Sequence, residues 1–265
     1  TRNLQGTKEG AELYSRIGTI YLSKLNMTRE AREACETALS SDPVYRPPFE
    51  MLESIHTSNL DWAELCSLYE RRARALGSGE EAANLYVSRA GIFDKNLDMK
   101  EEALGSYKMA RSLAPGDMRI MEMIVDLCRD QRWTGELVKA LMTRAGMEDK
   151  KKAALTYCEA AGILSHRPGQ EKAQEKLLKL AIGADPECSE SYQGLEEIYE
   201  RQGRWKELVG LLRDEAVKKE GSEKREYLYR IAKTLEERLD ELSLAEEAYS
   251  EALEIDHNDF SSLQV

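Results

Sequence analysis

The sequence predicts an all-α fold, a solenoid of about seven antiparallel helical hairpins stacked in double units of 71–72 residues. Three observations carry this expectation. Alanines recur at Ala38, Ala110, Ala181 and Ala252, and prolines follow the first three at Pro43, Pro115 and Pro186, with His257 out of pattern. Small residues recur in step at Gly18, Ala90, Ala161 and Ala232, and tryptophans at Trp62, Trp133 and Trp205. A period of this size means supersecondary units that each bury an apolar face against their neighbours. With 42% apolar and 33% charged residues, but only 6 prolines and 17 glycines, the composition leaves little room for long loops.

The first hairpin opens with Leu13, Tyr14, Ile17, Ile20, Tyr21 and Leu25, the spacing of an amphipathic helix. A turn near Asn26–Thr28 leads to a second helix with Ala31, Ala34, Cys35, Ala38 and Leu39 on one face. Asp42–Pro43 ends it, because proline disfavours the α conformation in the residue before it. The next hairpin begins at Pro47 or Pro48, where a first helical turn tolerates proline. After a polar link, Trp62, Leu65, Leu68, Tyr69 and Ala73 are expected to face inward. This first double unit covers 11–76; the pattern repeats over 83–149 and 153–221, and a partial unit occupies 225–265.

Several function classes are excluded or disfavoured. A net charge of −11 opposes nucleic-acid binding, which rests on Lys/Arg neutralisation of phosphates. The basic clusters Arg71–Arg72–Arg74 and Lys150–Lys152 read as solvated helix ends. No apolar run reaches the roughly 18–20 residues of a membrane span. The opening residues carry no apolar leader, and a cytoplasmic setting is expected, although the chain reads as a piece excised from a longer array. The 5 cysteines are scattered, without C-x-x-C, and the 3 histidines, His56, His166 and His257, lie far apart. Neither a disulfide framework, a metal site nor a cofactor is expected. Phosphate-cradling glycine loops and nucleophile elbows are missing, so no catalytic residues are assigned and the chain reads as a non-enzyme.

The residues Tyr14, Ile17, Gly18, Tyr21, Ala31, Cys35, Ala38 and Pro43 resemble the tetratricopeptide repeat. Similar copies read Tyr86, Ala90, Phe93, Ala103, Tyr107, Ala110, Pro115, then Tyr157, Ala161, Leu164, Leu178, Ala181, Pro186, then Ile231, Ala232, Leu235, Ala245, Tyr249, Ala252. The intervening hairpins match more loosely, as at Tyr192, Leu195, Tyr199, Leu208 and Leu212. Departures are Arg89 in place of Leu, Gln174 in place of Ala, and Glu53 and Glu196 in place of a small residue. The 71–72-residue double unit is similar to long bacterial repeat proteins. The resemblance implies a right-handed superhelix with a concave groove lined by the first helix of each hairpin. Its exposed positions carry over to Glu122 and Asp126, Gln193 and Glu197, and Tyr229 and Lys233, with Ser15 and Cys158 at earlier ones. The family's carboxylate clamp is absent, so acidic tails fit poorly; Glu190, Glu197 and Glu200 suit a basic or neutral peptide.

A second surface is suggested by methionine. Six of 9 methionines lie within or beside one hairpin, and Met118, Ile120, Val125 and Met142 stand where sister hairpins have more polar residues. With Met123 they form a candidate apolar patch, the competing reading being a wider core. The tryptophans, each opening an apolar stripe after a turn, read as packing residues in a common slot. The expected function is a non-enzymatic scaffold that binds peptides or protein partners through the groove or the Met-rich patch. The alternatives are a regulatory or substrate-presenting arm of a larger enzyme or secretion assembly, or a self-association module.

Overall fold

The computed structural model describes residues 6–165 and 167–262, the last seven of these by backbone alone. The opening residues 1–5 and His166, on which parts of the sequence reading fell, lie outside the described residues. Fourteen α-helices and one π-helical turn make up the described residues, with no strand among them. In order they are α1 Lys8–Lys24, α2 Thr28–Ser41, α3 Arg46–Asn59, α4 Trp62–Leu76, α5 Glu80–Lys95, α6 Lys100–Leu113 and α7 Met118–Asp130. Then come α8 Thr134–Ala145, α9 Lys150–Leu164, α10 Glu171–Ala184, α11 Ser189–Gln202, α12 Trp205–Ala216, α13 Gly221–Thr234, the π turn Leu235–Leu239 and α14 Leu242–Ser262. The all-α repeat of paired helices is the predicted one. Backbone contacts divide the chain into two compact units, Thr1–Ala140 and Leu141–Val265. Within each, helices pack on their neighbours in sequence, and in the second unit α9 also packs directly on α11.

The period is written in the turns as plainly as in the helices. Asn26, Asp98, Gly169 and Asp240, at intervals of 72, 71 and 71 residues, all adopt positive φ between +51° and +80°. Leu60, Arg132 and Gly203 do the same, at +61°, +54° and +66°, between the helices of the second hairpins. Two of the seven positions are glycine, which alone enters this region without a side-chain penalty. Asn and Asp tolerate it, whereas Leu60 and Arg132 are held there by the helices on either side.

The prolines act as expected. Asp42 and Asp185 are extended and Ala114, at φ −133° and ψ 70°, has also left the helical region, and α2, α6 and α10 end just before them. The fourth copy has His257 in the proline position, and there α14 continues to Ser262. Gly18 explains the small-residue slot of the first helix: a Cβ there would lie 2.9 Å from the Cys35 sulfur and 3.4 Å from the Ala31 carbonyl. A residue larger than glycine would push α1 off α2.

Three expectations about packing need correction. In α1 the buried residues are Gly10, Ala11, Ser15 and Gly18, while Leu13, Ile20 and Leu25 are exposed. That helix packs on α2 and α3 through its small residues, so Leu13, Ile20 and Leu25 fall outside the seam while Tyr14, Ile17 and Tyr21 are half-buried. Ser15, carried over as an open position, is therefore enclosed. The tryptophans are half-buried rather than enclosed, and they do not share a slot. Trp62 and Trp205 are the first residues of α4 and α12, but α8 starts at Thr134, which places Trp133 one position earlier, level with Asp61 and Arg204. The backbone confirms the offset: Asp61, Trp133 and Arg204 each donate to the carbonyl five residues back, at 2.8–2.9 Å.

Several polar residues in interior slots find local partners. Glu53 accepts from the Tyr69 hydroxyl at 2.6 Å. Arg89 pairs with Glu70 at 2.9 Å, donates to the Ser106 hydroxyl at 2.9 Å and stacks over Phe93 at 4.8 Å. Arg72, almost wholly buried, stacks 4.4 Å over Phe49 and donates to Glu81 at 2.9 Å. At Glu53, Arg89 and Glu196 the departures from the repeat pattern are thus tolerated because each carries a charge-assisted or hydrogen-bonded partner, although the Arg89 Nε has none.

Candidate partner-binding face

In the first unit, the exposed face of α7 carries Glu122 and Asp126, one turn apart, as the sequence predicted. Its charges are balanced locally: Asp126 pairs with Arg129 at 3.0 Å and Asp117 with Arg119 at 2.8 Å. The Met-rich patch does not form as drawn. Ile120 and Val125 are core residues, 2% and 1% exposed, and Met118 is half-buried. The equivalent slots explain this, because Pro48 and Ser191, which stand where Ile120 does, are themselves buried. An interior slot occupied by a small or polar residue in sister hairpins was misread as a surface slot. Met123 on α7 is 39% exposed, and in the second unit Met142 is 38% exposed.

In the second unit α9, α11 and α13 are the first helices of successive hairpins. On α11, Glu190, Gln193, Glu197 and Glu200 fall within one arc of about 80° at 100° per residue and are all exposed. None of the three glutamates forms an ion pair among the described residues, and Arg201 closes the strip. Behind it, Glu196 points inward and pairs with Arg230 of α13, tying the two helices together. Glu196 also faces Glu215 of α12, whose buried carboxyl is pushed up by burial first and by this neighbour second. One Glu215 oxygen has no hydrogen-bond partner.

On α13, Tyr229 and Lys233 are exposed as expected. Tyr229 is 54% exposed and stands edge-on to Tyr249 of α14, with ring centroids 5.8 Å apart. The Tyr249 hydroxyl donates to Glu236 at 2.9 Å. Between α13 and α14 lies a cleft of about 620 Å³ lined by Glu223, Arg225, Glu226, Tyr229, Tyr249 and Leu253. Lys233 is loosely held, 3.9 Å from Glu237. Two acidic side chains, Arg225 and two tyrosines therefore stand together in this cleft on α13 and α14. No group of three or more His, Cys, Asp or Glu suited to a metal occurs among the described residues. Nor is any described helix long and apolar enough to cross a membrane.

Residues 191–224, covering most of α11, all of α12 and the start of α13, match the family model described as tetratricopeptide repeat. That hairpin is similar to a tetratricopeptide repeat, and the described residues form a helical repeat of such pairs. The match falls on a hairpin that the sequence pattern had marked as one of the looser ones, and it includes Tyr192, Leu195, Tyr199, Leu208 and Leu212. No curated protein matches the sequence. Among solved structures, the chain is similar to YrrB, a TPR protein with an unusual peptide-binding site, at 17% identity and a TM-score of 0.36, covering 72% of this chain and 94% of that one. A tetratricopeptide repeat protein from Parabacteroides merdae matches at 14% identity and a TM-score of 0.37, over 93% of each chain. PilW, a type IV pilus biogenesis factor, matches at 16% identity and a TM-score of 0.33, over 91% of this chain and 90% of that one.

Proposed function

We propose that this tetratricopeptide-like repeat is a non-catalytic scaffold that holds a basic peptide segment of a protein partner against α11 and α13. The observation that carries the reading is the strip Glu190, Glu197 and Glu200, exposed and without ion pairs among the described residues, together with the half-exposed ring of Tyr229 on α13, a helix tied to α11 by the Arg230–Glu196 pair. Three carboxylates on one face repel one another and attract a chain bearing lysine or arginine at similar spacing. Tyr229 offers what charge alone lacks, a flat amphipathic surface for an aliphatic or aromatic anchor and for cation–π contact with arginine. Gln193 supplies hydrogen-bonding groups that a peptide backbone can use.

The test is fluorescence anisotropy with labelled 12-residue peptides, one with Arg and Lys interleaved with Leu, the other its Glu counterpart. The basic peptide is expected to bind, weakening with salt, and the acidic one to show no saturable binding. A Glu190→Lys, Glu197→Lys, Glu200→Lys variant with unchanged circular dichroism is expected to lose at least tenfold in affinity. Tyr229→Ala is expected to weaken binding without altering its salt dependence. Equal affinity for the wild type and the triple variant would refute the reading.

A further inference from the structure

The scattered cysteines do not all stay apart. The sulfurs of Cys158 and Cys188, thirty residues apart in sequence, lie 3.8 Å from each other. Cys158 is on α9, and Cys188 immediately precedes α11, so the pair forms where the first helices of two successive hairpins pack together. Both sulfurs belong to one small cluster with Ala154, Tyr157, Ala181 and Ala184, whose alanines allow the close approach. The remaining cysteines are buried elsewhere: Cys35 has Met51 as its sulfur neighbour, Cys66 faces the Arg89 carbonyl, and Cys128 lies in the core of α7.

We infer that Cys158 and Cys188 form a redox-modification site, in which a low-molecular-weight disulfide such as oxidised glutathione converts the two thiols into an intramolecular disulfide stapling the α9–α10 hairpin to α11. The sulfurs must close from 3.8 Å to about 2.05 Å, a movement within reach of side-chain rotation and slight helix adjustment. Cys158 is half-buried and Cys188 buried, which sets the order of events. The Cys158 thiolate attacks one sulfur of the oxidant, forming a protein–glutathione mixed disulfide and releasing one glutathione thiolate. The Cys188 thiolate then attacks the Cys158 sulfur, the protein disulfide forms and the second glutathione leaves. Two protein thiols are oxidised, one glutathione disulfide is reduced to two thiols, and the two protein protons pass to the departing thiolates or to water.

The surroundings tune this pair toward slow exchange. Burial, and then the neighbouring Cys188, push the Cys158 thiol up to about 12. Glu190 adds negative charge 3.5 Å from the Cys188 sulfur. At neutral pH the thiolate fraction is therefore small, and the rate of the first step follows hydroxide concentration, since thiolate is the nucleophile. Such a pair stays reduced under mild conditions and closes under sustained oxidation.

The experiment incubates the full chain, native, with oxidised glutathione at pH 7, 8 and 9, followed by alkylation, intact mass and tryptic mapping. The expected product has lost 2 Da, retains three alkylatable thiols and links the Cys158 peptide to the Cys188 peptide, and dithiothreitol restores five thiols. The rate is expected to rise about tenfold per pH unit. Hydrogen exchange in α9, α10 and α11 should be slower in the oxidised form than in the reduced one. Cys158→Ala and Cys188→Ala are expected to abolish the 2 Da loss, and Cys128→Ala to leave it intact. The mapping is done on the unaltered chain, so it stands even where a variant folds poorly. A persistent glutathione adduct without the cross-link, five free thiols at pH 9, or pairing with another cysteine overturns the proposal; unchanged exchange in the cross-linked form overturns the staple.

Discussion

Glu175 of α10 offers the sharpest test of how the second unit is held together. Its carboxylate accepts from Arg204 at 2.7 Å, from Lys179 at 2.7 Å and from the Tyr199 hydroxyl at 3.2 Å, and the side chain is 14% exposed. Arg204, which precedes α12, also stacks 4.6 Å over the Tyr199 ring, so this cluster joins α10, α11 and α12. Hydrogen bonding from Arg204, ahead of that from Lys179, holds the carboxyl down at about 2 instead of 4.5. A drop of that size corresponds to roughly 3 kcal/mol at about 1.36 kcal/mol per pH unit. Because Arg204 and Lys179 reach solvent, screening reduces the figure to about 1–2 kcal/mol. For a carboxylate whose folded pKa is depressed, this stability is fully present above 4.5 and is lost as pH falls toward 2. Glu175→Gln should therefore lower the urea midpoint by the equivalent of about 1–2 kcal/mol at pH 7, by the same amount at pH 5.5, and by almost nothing near pH 2. A Glu175→Gln, Arg204→Gln cycle should return a coupling of about 1 kcal/mol at pH 7. A deficit that stays constant from pH 7 to pH 2 would show that the substitution acts through packing and refute the electrostatic account.

The turns and the buried acid give three further tests. Leu60 is 65% exposed at φ +61°, so Leu60→Gly should raise stability by about 0.5–1 kcal/mol in urea denaturation, and an unchanged midpoint would show that the turn holds no strain. Gly18→Ala should destabilise by about 1 kcal/mol despite alanine's better helix propensity, because its Cβ meets the Cys35 sulfur at 2.9 Å, whereas Gly105→Ala, with open space on α6, should gain about 0.5–1 kcal/mol. Thermal melts that shift both variants the same way would contradict the close approach at Gly18. The Glu215 pKa is raised, so the folded state binds that proton more tightly and stability falls as pH rises from 4.5. Glu215→Gln should consequently melt higher than the wild type at pH 8, with the gap closing toward pH 4; a gap independent of pH would place the effect elsewhere.

Much of the fold was legible because it repeats. Apolar spacing marked the helices, and the proline series marked the ends of α2, α6 and α10; even the failure of the series at His257 had a meaning, since α14 runs on. The period extends to turns that residue type alone would not mark: nothing about Leu60 or Arg132 advertises positive φ, yet both align with Gly203. The misreadings have distinct physical causes. Comparing slots shows where copies differ, not which way the slot faces, so Ile120 and Val125 passed for surface although Pro48 and Ser191 are buried beside the same kind of seam. Exact spacing misled at Trp133, where a one-residue shift in the link before α8 moved the ring out of register with Trp62 and Trp205. The Cys158–Cys188 neighbourhood was invisible for a different reason. It arises from packing between hairpins, and the corresponding residues of the preceding copy, Val87 and Asp117, give no hint of a pair.

The same comparison of copies supports the binding face. Helices α7 and α11 occupy equivalent places, and their exposed strips align as Arg119, Glu122, Asp126 and Arg129 against Glu190, Gln193, Glu197 and Glu200. On α7 the arginines neutralise the carboxylates around them, with Asp117 and Asp126 each in an ion pair. On α11 the corresponding positions are glutamates, and the repulsion between Glu197 and Glu200, three residues apart, costs a few tenths of a kcal/mol. The fold does not require that cost, because α7 builds the same helix without it. A surface charge that local stability disfavours is better explained by what approaches it from solution. Replacing Glu190 and Glu200 with Arg, as on α7, should therefore leave α11 at least as stable in urea while removing the affinity for a basic peptide. Loss of stability together with affinity would instead make the strip part of the fold.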